Sequence, residues 1–124
     1  VMLLQATSPV RMRGTLDRTT VEGPVAVGAD SVLTRCTVRG PVIIGSRCRI
    51  TDAYIGPYTS LSDGVVVEHA EIEHSIVLDD SRVCHLGARM ADSLIGRDVV
   101  IARNEAKPAA YRFMVGDASQ VGIP

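Results

Sequence analysis

A repeat of seventeen residues constrains the fold of this chain more than any other feature. Between Ile44 and Leu78, aliphatic residues recur at steps of six, five and six, so three steps span seventeen residues. A repeat of this kind decides architecture before local propensity does. Extended back to Val10, it gives three columns, which are Val21, Val38, Ile55 and Ile72; Val10, Val27, Ile44, Leu61 and Leu78; and Leu16, Leu33, Ile50 and Val67.

The spacing predicts a coil with three short sides in each turn. Segments of five or six residues are too short for α-helices, and turn residues fill the gaps, as in Gly23-Pro24, Gly40-Pro41 and Gly56-Pro57. One aliphatic residue on each side would point inward, and successive coils would pair through backbone hydrogen bonds about 4.8 Å apart. The pattern therefore predicts an all-β fold, a parallel β-helix with triangular coils of about seventeen residues.

The composition favours thin, regular layers in one domain spanning residues 1–124. Hydrophobic residues make up 46% of the 124 residues and aromatic residues only 3%, so branched side chains would stack on copies of themselves. The net charge of −1 gives no electrostatic reason to expect nucleic acid or an anionic membrane as a partner. We find neither an apolar run of about 20 residues nor a signal peptide, and we expect no membrane partner.

The three cysteines indicate a reducing compartment. Cys36, Cys48 and Cys84 form neither a C-x-x-C pair nor an even set, which argues against a disulfide framework or a zinc site. We expect them to be small buried thiols in a cytoplasmic protein.

The repeat loses its register after Leu78. Six residues, Cys84–Arg89, are interpreted as a looped-out insertion, which returns Met90, Ile95 and Ile101 to the third, first and second columns. The coils would then run from about 10 to 103. Residues 104–124 no longer follow the repeat, and we expect them to form a strand segment that caps the open end of the coil.

The order hydrophobic residue, glycine, two variable residues and a small residue resembles the hexapeptide repeat of left-handed β-helix proteins, as in Ile44–Cys48. That family departs from the usual right-handed crossover. The resemblance thus implies a left-handed parallel β-helix.

Three longer segments are more specific. Tyr54–Val83, Asp92–Arg97 and Met114–Val121 resemble the C-terminal domain of long-form glucose-1-phosphate thymidylyltransferases. In that family an N-terminal nucleotidyltransferase domain, with Mg²⁺, joins a sugar 1-phosphate to dTTP and releases pyrophosphate. The resemblance implies a parent protein that makes dTDP-glucose.

The catalytic half of that family has no counterpart here. The chain contains no G-x-G-x-x-G segment, no P-loop and no series of βα units. We therefore assign no catalytic, cofactor-binding or metal-binding residue and no cofactor to this chain, and expect Mg²⁺ in the catalytic domain. Because the sequence begins with Val1, we expect a piece of a longer protein. Its expected partners are its own N-terminal catalytic domain and other copies of itself.

Histidines raise an alternative, because many left-handed β-helix proteins are acyltransferases that use a histidine base with acetyl-CoA. His85 is the strongest candidate, since it lies on the predicted loop, whereas His69 and His74 follow inward residues by two positions and are expected to face solvent. The competing interpretation is that all three are ordinary surface residues, and we favour it.

Two charged groups also admit a functional and a structural interpretation. One is a set of carboxylates that could bind a metal, although the outward positions of a coil are polar in any case. The other is a set of arginines that could bind phosphate, although no glycine-rich loop lies beside them. We favour a solvated surface for both, the sets being Glu68, Glu71, Glu73, Asp79 and Asp80, and Arg11, Arg13 and Arg18.

Overall fold

The computed structural model describes residues 10–103, which form seventeen strands of two or three residues and no helix. Consecutive strands enter three parallel sheets in strict rotation, so that three strands complete one coil. The predicted parallel β-helix is confirmed. No helix in this part of the chain could span a membrane.

The strands of each sheet are neighbours in space but about one coil apart in sequence. Sheet A contains β1 (Val10–Met12), β4 (Val25–Val27), β7 (Val42–Ile44), β10 (Thr59–Leu61), β13 (Ile76–Val77) and β16 (Leu94–Ile95). Sheet B contains β2 (Thr15–Asp17), β5 (Val32–Thr34), β8 (Arg49–Thr51), β11 (Val66–Glu68), β14 (Arg82–Cys84) and β17 (Val100–Ala102). Sheet C contains β3 (Thr20–Glu22), β6 (Thr37–Arg39), β9 (Tyr54–Ile55), β12 (Glu71–Glu73) and β15 (Met90–Ala91).

The predicted columns are the inward ladders of these sheets. Val21, Val38, Ile55 and Ile72 align in sheet C. Leu16, Leu33, Ile50 and Val67 align in the same way in sheet B, and most of these side chains are fully buried. Each aliphatic side chain therefore packs on its counterparts one coil above and one coil below.

Sheet A differs from the other two sheets in how its strands present side chains. In β4 and β7 the first and third residues point inward and only the middle residue points out. In β5 and β8 of sheet B only the middle residue is buried. Strands β4 and β7 thus each bury two aliphatic residues in the core. Each has only one outward residue that could contact another molecule.

The second column needs two corrections. Met12, rather than Val10, aligns with Val27, and Val77, rather than Leu78, aligns with Leu61 and is fully buried. The corner after Ile72 is one residue shorter than the repeat predicts. Because Val77 and Leu78 are both aliphatic, composition does not show this shift.

The predicted insertion at Cys84–Arg89 is also wrong in its extent. Val83 is fully buried and aligned with Val67 and Ile101, and Cys84 belongs to β14. Looping out Cys84 would remove its backbone from the ladder between β11 and β17, and the extra residues are instead confined to the corner at 85–89. The later residues consequently move by one column, so Met90, Ile95 and Ile101 occupy the first, second and third. The predicted cap at 104–124 lies outside the described residues.

Left-handed backbone turns the chain at its corners. Polar residues occupy this conformation at successive coils, and aspartate and histidine tolerate it better than most side chains. Between sheets A and B the positions are Asp30, Arg47, Gly64, Asp80 and Asp98, and between sheets B and C they are Arg18, Arg35, Asp52, His69 and His85. The corners therefore repeat as regularly as the core does.

The aliphatic columns give a direct stability test. Ile55→Ala removes buried atoms from the middle of the first column, where the side chain is 0% exposed, and should lower the free energy of unfolding by about 2–5 kcal/mol. Val32→Ala truncates an outward side chain that is 41% exposed and should change it by less than about 0.5 kcal/mol. Urea denaturation of both variants tests this, and equal losses would contradict the columns.

Candidate functional site

A ladder of polar side chains follows the corner between sheets B and C. Each member stands two residues after an inward residue of sheet B, and all have φ between 47° and 55°. We call this set the corner ladder, made of Arg18, Arg35, Asp52, His69 and His85. Because the backbone repeats at each coil, the side chains project from the same corner about 4.8 Å apart.

Arg35 and Asp52 form the central pair of the corner ladder. The Arg35 Nε donates to Asp52 Oδ1 at 2.6 Å, and Arg35 Nη2 donates to Asp52 Oδ2 at 2.9 Å. This two-point geometry is the strongest form of arginine–carboxylate contact. The hydrogen bonds from Arg35 hold the pKa of Asp52 below its ordinary value.

Two imidazole rings continue the ladder beyond Asp52. His69 Nε2 lies 3.5 Å from Asp52 Oδ2, and the His69 ring stacks on the His85 ring with centroids 4.9 Å apart and planes 19° from parallel. The His85 backbone N–H donates to the Glu68 carbonyl at 2.7 Å. A guanidinium, a carboxylate and two imidazoles thus follow one another over four coils.

Three members of the corner ladder, Arg35, Asp52 and His69, form one side of a groove of about 510 Å³. The lining comes from three coils and from the extra residues after His85, namely Arg35, Asp52, Ala53, Tyr54, His69, Ala70, Glu71, Leu86, Gly87, Ala88 and Arg89. The groove exists because the corner between β14 and β15 is longer than the corners below it.

Arg89 ties this longer corner to the side of the coil. Its Nε donates to Glu71 Oε1 at 3.0 Å and its Nη1 donates to Glu73 Oε1 at 2.7 Å. Its guanidinium carbon also lies 4.8 Å from the centroid of the Tyr54 ring, within the range of a cation–π contact. Arg89 therefore holds the corner at 85–89 against sheet C.

The cationic side chains of the groove are already engaged by carboxylates. Both guanidinium groups of the groove, those of Arg35 and Arg89, are occupied by carboxylates of the same chain. A phosphate or carboxylate ligand would have to compete with those contacts. The imidazole rings of His69 and His85 stack on each other beside Asp52.

The predicted site residues lie in several places. His85 opens the longer corner at 85–89 and stacks on His69. Exposed His74 lies at another corner, with its ring centroid 5.3 Å from that of Tyr58. Arg18 pairs with Asp17 at 3.3 Å, while Arg11 lies in β1 and Arg13 follows it.

The acidic residues do not gather around a common point. Arg89 engages Glu71 and Glu73, and Glu68 is aligned with Cys84 across the strand pair. Within residues 10–103, no group of three histidine, cysteine, aspartate or glutamate side chains could hold a metal ion.

Sequence reasoning missed the contact of Asp52 with Arg35 and His69. The signal was present, because Arg35, Asp52 and His69 are spaced by seventeen residues, as the aliphatic columns are. Applying the same period to polar residues would have aligned them.

The Arg35–Asp52 pair gives a pH-dependent prediction. A carboxylate whose folded-state pKa is lowered stabilises the fold above its unfolded pKa of about 3.9, and this stabilisation is lost as the pH falls through the folded value. The Asp52→Asn variant should therefore melt at a lower temperature than the unsubstituted chain at pH 7. This difference in melting temperature should narrow below about pH 4. Asp98→Asn, at another corner, is the control, and a gap for Asp52→Asn that does not change with pH would contradict the prediction.

Comparison with known proteins gives relatives in one enzyme class. A glucose-1-phosphate thymidylyltransferase from Streptomyces antibioticus is 41% identical over 114 residues, which are 91% of this chain and 32% of that protein. One from Streptomyces griseus is 37% identical over 123 residues, or 98% of this chain and 34% of that protein. A low-salt glycan biosynthesis nucleotidyltransferase from Haloferax volcanii is 34% identical over 71 residues, 56% of this chain and 20% of that protein. No family model matches the chain.

Solved structures give a weaker likeness. A mutant GDP-perosamine N-acetyl transferase from Caulobacter crescentus, in complex with CoA and GDP-perosamine, has a TM-score of 0.48 and 18% identity, covering 81% of this chain and 53% of that chain. This degree of likeness carries no functional inference. The relatives in sequence are more informative, although the chain spans only about a third of the first two. They confirm the resemblance of this chain to part of the glucose-1-phosphate thymidylyltransferases.

Proposed function

We propose that this chain is the C-terminal β-helix domain of a glucose-1-phosphate thymidylyltransferase, in which it holds subunits together or positions the catalytic domain. The N-terminal domain of the parent, with Mg²⁺, would join glucose 1-phosphate to dTTP and release dTDP-glucose and pyrophosphate. The observation that carries the proposal is 41% identity over 91% of this chain to one such protein.

The interior of the coil supports a structural role. Its columns consist of aliphatic side chains such as Leu33, Ile50 and Ile55, each 0% exposed. Packing of this kind gives a rigid body with flat sides and leaves little room for a ligand inside it. The charged groups at the groove are mainly paired with one another, which suits a role in holding the fold.

The cysteines support a cytoplasmic setting. Cys36, Cys48 and Cys84 are free and buried, and burial raises the pKa of each thiol. A thiol kept protonated reacts slowly. Free thiols without disulfides suit a reducing compartment.

Assays of the parent protein and of this chain test the proposal. The gene should encode a glycine-rich nucleotide loop roughly two hundred residues upstream of this chain, following the length of a typical domain. The full-length protein should release pyrophosphate from dTTP and glucose 1-phosphate in the presence of Mg²⁺, and the 124-residue chain alone should not. A gene that encodes no such domain would overturn the proposal, as would turnover by the isolated chain.

The second candidate function is acyl transfer from acetyl-CoA, and the corner ladder is the observation that favours it. Asp52 lies 3.5 Å from His69 Nε2 beside a groove of about 510 Å³, and a carboxylate next to an imidazole is a common arrangement for a general base. The amine or hydroxyl would attack the thioester carbonyl as the histidine accepts its proton. The carbon–sulfur bond would then break, and that proton would pass to the departing sulfur, so that CoA leaves as the free thiol.

Release of free CoA thiol by the isolated chain tests this second candidate. If His85 is the base, turnover should disappear in His85→Ala, and if His69 is the base it should disappear in His69→Ala. His74→Ala, at a different corner, is the matched control. If the unsubstituted 124-residue chain releases no CoA with a panel of amino sugars and alcohols, acyl transfer is excluded.

A further inference from the structure

The groove beside the corner ladder has a small apolar floor. Ala53 and Ala70 line it at the same position of successive coils and are 6% and 4% exposed. Their backbone carbonyls accept hydrogen bonds from the N–H groups of Thr37 and Tyr54, each at 3.0 Å. The inter-coil ladder therefore holds the floor in place, and the small side chains leave a depression at this corner.

The corner at 85–89 forms the upper wall of the groove. The chain takes six steps over Cys84–Met90, whereas it takes four over Glu68–Ile72 in the coil below. A methyl group added at Gly87 would meet no other part of the structure within 4 Å. The extra residues thus stand clear of the coils below and leave the groove open.

The charged groups on the side walls neutralise one another. Arg35 forms an ion pair with Asp52 on one wall, and Arg89 forms one with Glu71 on the other. A charged ligand would have to break one of these charge-assisted contacts to pair with its partner. A ligand without net charge would leave both pairs intact, so the groove suits a neutral ligand.

The paired side chains keep hydrogen-bonding capacity beyond their own contacts. Arg35 donates Nε and one Nη2 hydrogen to Asp52, and a guanidinium has further N–H donors. Both contacts of Arg89 with Glu71 reach Oε1, whereas a carboxylate has a second accepting oxygen. The side chains of Arg35 and Glu71 are 44% and 56% exposed. Donors and acceptors are therefore held at fixed, accessible positions on the two walls.

A ring of hydroxyl groups matches these walls, because a hydroxyl donates and accepts at the same time. A pyranose carries hydroxyls around its edge and C–H groups on its faces. Its edge would contact the polar walls while one face lies on the alanine floor. The groove volume of about 510 Å³ falls within the range of small-molecule sites, about 300–1,000 Å³.

We infer that this groove is a binding site for a neutral, unphosphorylated pyranose sugar. Sugar hydroxyls accept from Arg35 and donate to Asp52 and Glu71, and the ring packs on Ala53 and Ala70. The inference goes beyond the proposed function, in which a sugar phosphate reacts in another domain. It also requires neither acetyl-CoA nor a catalytic base.

The size of the ligand sets the expected affinity. For a methyl pyranoside of about 13 non-hydrogen atoms, the efficiency typical of small ligands corresponds to a Kd of roughly 1 mM. Binding should therefore be rapid and reversible, and it should saturate at millimolar concentrations.

Nuclear magnetic resonance of the ¹⁵N-labelled 124-residue chain tests the site. The isolated chain is used because the catalytic domain of the parent would bind sugars of its own. Titration with methyl α-glucopyranoside, methyl α-mannopyranoside and methyl α-galactopyranoside should give a saturable shift with at least one of them. The shift should be confined to the amides around the groove, including Ala53, Ala70, Gly87 and Ala88, and should be absent at Ile43 on sheet A.

A blocking variant and a matched control locate the binding. Ala88→Trp places a large side chain in the groove from an exposed position and should raise the Kd at least tenfold. Ala26→Trp makes the same substitution at the outward residue of β4, on the side opposite this corner, and should bind as the unsubstituted chain does. Equal binding by the Ala88→Trp and Ala26→Trp variants would overturn the inference.

Two further ligands test the chemical class. The ring 2-methoxytetrahydropyran, which lacks hydroxyls, should cause no saturable shift, and glucose 1-phosphate should bind no more tightly than the methyl pyranosides. No saturable shift with any of the three methyl pyranosides would overturn the inference. A Kd for glucose 1-phosphate at least tenfold lower than theirs would overturn it as well, because the groove would then select an anion.

These results are independent of the test of the proposed function. Sugar binding that Ala88→Trp abolishes, together with a gene that encodes no nucleotidyltransferase domain, would support the groove and overturn the proposed parent. Release of pyrophosphate by the full-length protein, with no sugar binding by this chain, would support the proposed function and overturn the sugar site.

Discussion

Hydrogen bonds between successive coils hold this structure together, because no strand is long enough to be stable alone. The Tyr54 N–H donates to the Ala70 carbonyl at 3.0 Å, and the Gly56 N–H donates to the Ile72 carbonyl at 2.6 Å. Strands of two or three residues gain stability only when the next coil extends the ladder. The aliphatic columns keep those ladders in register, since a slip of one residue would turn Ile55 outward. Backbone pairing and core packing thus impose the same seventeen-residue period.

Much of this architecture could be predicted from the sequence because one aliphatic residue in each side repeats without exception from Leu16 to Ile72. The prediction failed where two apolar residues are adjacent. Val77 and Leu78 fit the pattern equally well by composition, as do Val83 and Cys84, and only the length of the preceding corner decides which points inward. With Leu78 as the inward residue, the repeat predicts the next inward position at Cys84 rather than at Val83. Cys84 is therefore placed in the predicted insertion.

The corner ladder and the exposed residues of sheet A were harder to predict for a different reason. Arg35, Asp52 and His69 keep the period of the core, but their contacts depend on a left-handed corner that places each of them above the last. Ile43 and Ile76 are adjacent to buried residues, so in the sequence they read as more of the core. Their exposure follows from the alternation of a strand, which cannot be fixed until the inward neighbour is known. The candidate site lies at outward positions, whereas the repeat describes inward ones.

The charged side chains at the corner between sheets B and C contact one another rather than standing free. Ion pairs at Arg35 and Arg89 satisfy the charges of the groove within one chain. The central claim is that hydrogen bonds between successive coils make the structure rigid. Backbone hydrogen exchange tests this claim most directly. The amides of Tyr54 and Gly56, in the middle coils, should exchange far more slowly than that of Gly87, which stands in the corner at 85–89 outside the strands. Fast exchange at Tyr54 and Gly56 would contradict a structure held by inter-coil hydrogen bonds.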